Sequence, residues 1–494
     1  MPYWHMQNTT PIFPGFHLPT LRRKRLSSQE LLADEISKIR RKSFGHLCHV
    51  LGSSVPGAVL TKEQAGKNSR SRIYSKENTF WAFMMQILSD DGSCQDVVRK
   101  LQSYAALKGN SSPSSSTAAY CKARKRLPVD DLEQILAHSA DIDSEANRSD
   151  FCQGRRVVVV DGTGLSMPDT KSNQKLWPQQ SQQKNGCGFP IMKIAACFSL
   201  HTGALLSYRQ GDKHTHELPL FREQWDTCTP GDIMLADKGF CNYHDIAMLQ
   251  DRRVDSVVTM RRKYPISEAK AVKRFSENDL LVCWKRPAHI KTFSKSQWDQ
   301  LPEELWLRQI RVDVEIKGFR KKSFYIVTTL LNADEYPAQE LADLYYKRWD
   351  VELFFRDIKT TLGMDILRCK TPDMIRRELI MYLIVYNCLR RIMIEAANKT
   401  HVTIRKISFK GTVQAVRAWE PHFCAKNSRN SKSHMLASLH TRIAELRLTN
   451  RLGRSEPRVI KRRKKNFQLL SKPRSEVVEI QHRSKYRAKG AKCA

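Results

Sequence analysis

Between Arg155 and Met260 the chain alternates short apolar or β-branched runs with helical patterns, and this order limits the fold more than any other feature. Val157 to Val160 is a β-branched run; Ile191 to Leu200, the turn His201-Thr202-Gly203 and Ala204 to Arg209 read as a hairpin. A helix around Glu217 to Trp225, a strand at Ile233 to Ala236, a helix at Tyr243 to Arg252 and a strand at Val254 to Met260 are expected next. Strand, hairpin, helix, strand, helix, strand is an α/β order. Short charge-interspersed segments between 264 and 322, such as Leu280 to Trp284 and Gln309 to Ile316, predict a β-rich insertion. The core resumes at Ser323 to Leu331, and two long helices are expected, Ala338 to Leu362 and Pro372 to Ala397.

The flanks differ from this centre. Residues 1–150 read as a helical, basic region. Ser75 to Leu88 has a cap-like start and an apolar run, the turn Ser89-Asp90-Asp91-Gly92 follows, and a second helix opens at Ser93. A Ser-rich linker, Ser111 to Thr117, leads into Tyr120 to Arg126, whose basic residues either lie along a groove or solvate a surface helix. After about residue 425 the chain turns strongly basic and includes Lys461-Arg462-Arg463-Lys464-Lys465. The expected partition is a helical region over 1–150, a first core part over 151–263, the insertion over 264–322, the remaining core over 323–424, and a basic tail over 425–494.

Lys and Arg number 84 against 50 Asp and Glu, so the formal charge is +34, and its clustering points to a polyanionic partner, above all nucleic acid. The tail either adds sequence-independent affinity or is a solubilising charge run. Thirteen cysteines without a Cys-x-x-Cys pair argue against a zinc ribbon and a disulfide scaffold. The most apolar stretch, Leu379 to Leu389, is too short to span a bilayer and contains Asn387, so an intracellular protein without membrane segments is expected.

Three carboxylates stand out by placement. Asp161 ends the valine run before Gly162-Thr163-Gly164, and Asp237 ends Ile233 to Ala236 before Lys238-Gly239. Strand ends are where sites of open α/β sheets gather, although an Asp there also commonly caps neighbouring amides. On an ideal helix at about 100° per residue, Tyr345, Arg348, Glu352 and Lys359 project at roughly 0°, 300°, 340° and 320°. Val351, Phe354, Phe355, Ile358 and Leu362 form an adjoining apolar face, and Asp350, Asp357 and Thr361 form what reads as a solvated side. A surface helix needs one polar face and this one has two, so the stripe is either a ligand-facing surface or an Arg348 to Glu352 ion-pair ladder.

Tyr345-x2-Arg348-x3-Glu352-x6-Lys359 resembles the signature of bacterial insertion-sequence transposases of the IS4 family. The resemblance extends to VVVVDGT around Asp161, ADKGF around Asp237, the inserted segment, TFWAFMMQILSDDGSCQDVVRKL and STAAYCKARKRLP, over roughly residues 75–420. It implies a ribonuclease H-like α/β core with a β-rich insertion, preceded by a helical DNA-binding domain. It also implies that Asp161, Asp237 and Glu352 are catalytic metal ligands. Tyr345, Arg348 and Lys359, with Lys238 beside Asp237, would grip DNA. In hairpin-forming relatives a Trp leads the strand that here begins with Phe324 and Tyr325, so the resemblance implies that one of these rings contacts DNA by stacking on a base extruded beside the cleavage site. The alternative is that both only pack in a half-buried strand. Alternation places the two on opposite sides, so one of them is expected in the core.

The chemistry fits the residue types. Phosphodiester transfer builds charge on an attacking and a leaving oxygen, which two Mg²⁺ ions, or Mn²⁺ in their place, stabilise through an all-oxygen ligand set. The expected enzyme is a DDE transposase that frees a 3′-hydroxyl at its element's terminal inverted repeats and joins it to target double-stranded DNA, as a homodimer, in the nucleoid-associated cytoplasm of a bacterium. The alternatives are a catalytically inactive derivative that binds DNA and a nuclease that cuts without joining.

Overall fold

The computed structural model describes residues 47–61, 73–107, 112–142, 151–260, 271–288, 293–313, 323–425 and 429–448, with positions 472, 473 and 476. Everything below concerns these residues; the Lys461 to Lys465 run lies outside them. The strands are β1 Val157–Ser166, β2 Ile191–Ser199, β3 Leu205–Gly211, β4 Ile233–Ala236, β5 Asp255–Thr259, β6 Ala271–Ser276, β7 Asp279–Lys285, β8 Glu304–Asp313 and β9 Ser323–Thr328. The principal helices are α1 Lys76–Leu88, α2 Cys94–Leu107, α3 Ala118–Arg126, α4 Val129–Ala140, α5 Glu217–Arg222, α6 Tyr243–Asp251, α7 Ala338–Lys347, α8 Asp350–Arg356, α9 Pro372–Thr400, α10 Phe409–Ala425 and α11 Arg429–Glu445.

The strands form one mixed sheet in the order β3-β2-β1-β4-β5-β9-β8-β7-β6. β1, β2 and β3 pair antiparallel, while β1, β4 and β5 run parallel. Three antiparallel strands followed by two parallel ones, with helices in the crossovers, is the ribonuclease H-like arrangement that the resemblance implies. The strands of the inserted segment add to the far side of this sheet through β9. Arg308 on β8 is buried, pairs with Asp279 on β7 and donates to the Tyr336 carbonyl at 2.6 Å, which ties these strands to the core.

Val157 to Val160 are fully buried, each worth roughly 1.5–3 kcal/mol of transfer from water. Alternation divides them between two cores: Val157 and Val159 join α1, α4, α7, α8, α9 and α10 on one face, while Val158 and Val160 join Phe221 of α5, α6 and the insertion on the other. The N-terminal helices thus share a core with the sheet and the helices from Ala338 to Ala425.

Three expectations need correcting. First, β1 does not stop at Asp161; its pairing with β4 ends at Val159, but the ladder with β2 carries it through Ser166. Second, the single helix expected from Ala338 to Leu362 is three segments, α7, α8 and a π-turn at Asp357–Thr361. Between α7 and α8 the amides of Arg348, Trp349, Val351 and Glu352 each bond three residues back, so the chain winds more tightly there and the ideal helical angles no longer hold. Third, the aspartate side of this helix is not solvated: Asp357 pairs with Arg390 at 3.1 Å and Asp350 with Arg405 at 2.7 Å. The segment after Pro372 covers that face.

Likewise, Arg124 of the basic helix α3 neither lines a groove nor solvates a surface. It is buried between the rings of Phe83 and Tyr120 and donates to Gln86 Oε1 at 3.0 Å. The twelve described cysteines are all free thiols. No described helix is long and apolar enough to cross a membrane.

Asn387 explains itself in this setting. Within the apolar middle of α9 its side chain accepts from the Leu205 amide at 2.9 Å, donates to the Leu205 carbonyl at 2.9 Å and donates to Ser139 Oγ at 3.1 Å, joining α9 to the start of β3 and to α4. Replacing it with Leu strands buried polar groups at about 1–3 kcal/mol each, so Asn387→Leu should lower the urea midpoint measurably. An unchanged midpoint would mean that these bonds do not hold β3 in place.

Candidate active site

Register decides where the two strand-end aspartates lie. Val159 is paired with Leu235 across parallel β1 and β4, so two residues further on Asp161 comes level with Asp237. Ala236 is paired with Val258 across β4 and β5, which brings Thr259 level with Asp237. Asp161, Asp237 and Thr259 share the parity of Val157, Val159, Leu235 and Val257, and so belong to the sheet face on which α7 and α8 pack.

Both aspartates use one oxygen as strand-end aspartates commonly do. Asp161 Oδ1 accepts from the Gly162 amide at 2.8 Å, and Asp237 Oδ1 accepts from the Gly239 amide at 2.6 Å. Local capping does not neutralise Asp161. Burial pushes its carboxyl up to about 6; the Gly162 amide and Arg348 pull it back, and Glu217 and Asp237 push it further up. Glu217 is itself raised, first by burial and then by Asp237, with Lys193 and His216 opposing. Glu217 has no counterpart among the expected site residues.

The helix supplies the other wall. The Tyr345 hydroxyl lies 3.0 Å from Thr259 Oγ1, and burial raises its pKa, with Arg348 opposing and Asp237 adding to the rise. Arg348 is 8% exposed, sits over the rings of Tyr345 and Trp349, and leaves its Nε without a hydrogen-bond partner. Lys359 Nζ donates to Thr163 Oγ1 and to the Gly164 carbonyl, both at 2.9 Å, and burial lowers its pKa. Lys359, bonded to Thr163 and Gly164, therefore ties the helix to β1, and the charge of Arg348 acts on Asp161. Glu352 lies between Arg348 and Lys359 in sequence, and its side chain is exposed. The ladder from Arg348 to Glu352 is not among the ion pairs of the described residues.

Asp161, Asp237, Tyr345 and Arg348 are thus brought together, with Glu352 and Lys359 on the same helix. Among the described residues no three His, Cys, Asp or Glu side chains stand close enough to hold an ion, so Glu352 does not reach the two aspartates in this conformation. Lys238 is exposed next to Asp237. Phe324 packs 5.3 Å from the Tyr345 ring and 5.9 Å from the Tyr346 ring, on the site's face of the sheet. Tyr325, one position on, turns to the other face, half-buried, and its carbonyl accepts from the Met260 amide at 3.0 Å. Glu217 and Thr259 were not recoverable from sequence alone, because only tertiary pairing brings them to the aspartates.

The donor set suits a hard divalent cation. The groups are carboxylate oxygens, and a bound cation would offset both the burial that chiefly raises Asp161 and the smaller push from the Glu217 and Asp237 charges.

Residues 153–388 match the family described as the transposase DDE domain. The chain is 25% identical over 335 residues to the transposase InsG of insertion sequence IS4 from Escherichia coli strain K12, covering 66% of this chain and 72% of that protein. It is 34% identical over 293 residues to a probable transposase of insertion sequence IS5377 from Geobacillus stearothermophilus, covering 58% of this chain and 70% of that protein. A solved structure of the piggyBac transposase synaptic complex with hairpin DNA aligns at a TM-score of 0.40 and 11% identity, over 85% of this chain and 87% of that one.

The position of Asp161 has a pH consequence. A carboxyl raised to about 6 in the folded chain, against about 4 in an unfolded one, keeps its proton longer when folded, so its contribution to stability is present below about pH 4 and is lost as pH rises through 6. In EDTA, the stability of the parent relative to Asp161→Asn should therefore fall between pH 4.5 and pH 7 in urea titrations, and Mg²⁺ should reverse the fall. A difference independent of pH would show that Asp161 is not held in a charge-averse site.

Proposed function

The chain belongs to the IS4 family of insertion-sequence DDE transposases, and from that premise we propose that Asp161, Asp237 and Glu352 are the carboxylates that hold two Mg²⁺ ions at its catalytic centre. The protein is a DNA transposase. The observation that supports the residue assignment is the level placement of Asp161 and Asp237 just beyond the paired stretch of parallel β1 and β4, facing a helix that Lys359 ties to β1.

When bound, the two ions supply the positive charge that stabilises the attacking and leaving oxygens of phosphodiester transfer. The chain's own residues do the rest. Asp161 and Asp237 present their carboxylates from a rigid sheet, so they need no rearrangement to bind. Glu352 is exposed and has freely turning side-chain bonds, and it swings toward the aspartates once positive charge and the DNA end arrive. Arg348 is already buried beside Asp161, and its unpartnered Nε faces no competing acceptor, which suits it to a phosphate oxygen. Lys359 commits two of its three donors to Thr163 and Gly164 and keeps one for DNA. The Tyr345 hydroxyl shares its hydrogen bond with Thr259 and retains capacity for a second partner.

Positioned in this way, a water attacks at the end of the element and frees a 3′-hydroxyl, which then attacks target DNA. The terminal inverted repeats and the target are double-stranded DNA. Cutting two ends together calls for two copies of the chain, one at each end. The N-terminal helices find the ends, and Lys238, exposed beside Asp237, adds a phosphate contact.

Asp237→Ala should lose nicking of end-containing DNA in Mg²⁺ while its DNA affinity in EDTA stays within a few-fold of the parent's. Nicking at the parent's rate would refute the assignment. Where the route passes through a hairpin, Phe324 rather than Tyr325 is the ring on the site's face for an extruded base. Stacking of that kind is worth about 1–3 kcal/mol, roughly 5- to 150-fold in rate, so Phe324→Ala should slow hairpin formation more than nicking, and Tyr325→Ala should slow neither. Equal slowing of both steps by Phe324→Ala would instead mark the ring as packing only.

A further inference from the structure

We propose that Cys94 and Cys121 are a modification site, an oxidisable pair that a peroxide closes to a disulfide between the start of α2 and α3. The two sulfurs are already in contact. Cys121 donates its thiol hydrogen to Cys94 Sγ at 3.7 Å, and both side chains are half-buried, within reach of a small oxidant. A disulfide bond is about 2.0 Å long, so the sulfurs have to approach by about 1.7 Å, a movement that rotation about Cα–Cβ supplies. The pair sits beside a knot that joins the three helices: Gln86 Oε1 of α1 accepts from the Tyr120 hydroxyl at 2.8 Å and from Arg124 Nη1 at 3.0 Å. None of these groups takes part in strand cleavage.

The two sulfurs are not equivalent. Three donors converge on Cys94 Sγ: the Cys121 thiol, Arg124 Nη2 at 3.2 Å and Gln86 Nε2 at 3.8 Å. From Cys121 Sγ the same guanidinium nitrogen is 4.0 Å away. Donors gathered on one sulfur, a buried guanidinium among them, favour its thiolate, and the thiolate is the nucleophile. Burial outweighs them and raises the Cys94 thiol, so the thiolate is a minor form on which the oxidant draws. The steps balance. The Cys94 thiolate attacks one oxygen of hydrogen peroxide, the O–O bond breaks, and the departing hydroxide takes up a proton to become water. Cys94 is then a sulfenic acid. The Cys121 thiolate attacks its sulfur, the S–O bond breaks, and the second hydroxide leaves as water. Two thiols have lost two electrons and one peroxide has gained them. The bridge closes a loop between residues 27 positions apart, which constrains the unfolded chain.

The test exposes the purified, reduced full chain to hydrogen peroxide, blocks the remaining thiols with iodoacetamide and maps disulfide-linked tryptic peptides by mass. The peptides carrying Cys94 and Cys121 should appear joined, two hydrogens lighter than the separate pair, and dithiothreitol should part them. The oxidised chain should keep a urea midpoint at or above that of the reduced one. Cys94→Ser, close in shape to the parent, should lose the bridge. Cys121→Ser should lose it too and leave the sulfenic acid on Cys94, where dimedone traps it. The proposal fails if peroxide oxidises other cysteines and leaves Cys94 and Cys121 on separate alkylated peptides. It also fails if Cys94 joins instead to Cys369, whose thiol feels its charge. Dimedone found on Cys121 in Cys94→Ser, and not on Cys94 in Cys121→Ser, would overturn the roles given to the two sulfurs.

Discussion

Two like charges held level on adjacent parallel strands are the constraint around which the structure is organised. The β1–β4 register places Asp161 beside Asp237, and neither strand can shift to relieve the repulsion, because the valines and the Ile233 to Ala236 run behind them are fully buried on both faces. A one-residue slip would turn every side chain to the wrong face. Burial is the main cause of the raised Asp161 carboxyl, the Glu217 and Asp237 charges add to it, and the Gly162 amide and the Arg348 guanidinium oppose it. Sheet rigidity converts hydrophobic burial into an electrostatic demand that a divalent cation meets.

The helix from Ala338 to Thr361 is fixed over the same face of the sheet. Its puzzling second polar face is a set of fasteners. Asp357 and Asp350 pair with Arg390 and Arg405 on one side, and Lys359 bonds to β1 on the other. Apolar residues between them, Val351, Phe354 and Phe355, fill the core against Phe198. Gly203, with a φ of 69°, lets the β2–β3 turn pass under Arg390 and Phe354, where a Cβ would come within 2.9 Å of either side chain. Glu352 is left as the acidic residue of this helix segment with neither a fastener nor a core position, which leaves its side chain free to take up the role proposed for it.

Much of this was legible in the residues. The strand and helix order from Val157 to Met260 is local chemistry, β-branched runs against amphipathic ones, and it survives almost unchanged in the fold. Both aspartates stood out in the sequence as the first acid after an apolar run; Asp237 does follow the end of β4, whereas Asp161 lies within β1, because pairing with β2 carries that strand on to Ser166. What failed to show were features set by tertiary packing. Helical angles drawn at a constant 100° missed the tightening at Arg348 and the π-turn at Asp357, and so gave Asp357 to solvent when Arg390 covers it. Arg124 read as a surface charge because nothing in its neighbours in sequence announces Phe83, Gln86 and Tyr120. Glu217 is separated from Asp161 by an entire hairpin, and only the sheet brings the two together.

The most direct measurement is anomalous diffraction from Mn²⁺ in crystals of the full chain bound to DNA that ends in its terminal repeat. The account predicts Mn²⁺ peaks between the carboxylates of Asp161 and Asp237, with Glu352 drawn in from its exposed position and the terminal phosphate against Arg348. Mn²⁺ bound elsewhere, or bound at the aspartates with Glu352 still turned to solvent in the DNA complex, would contradict it.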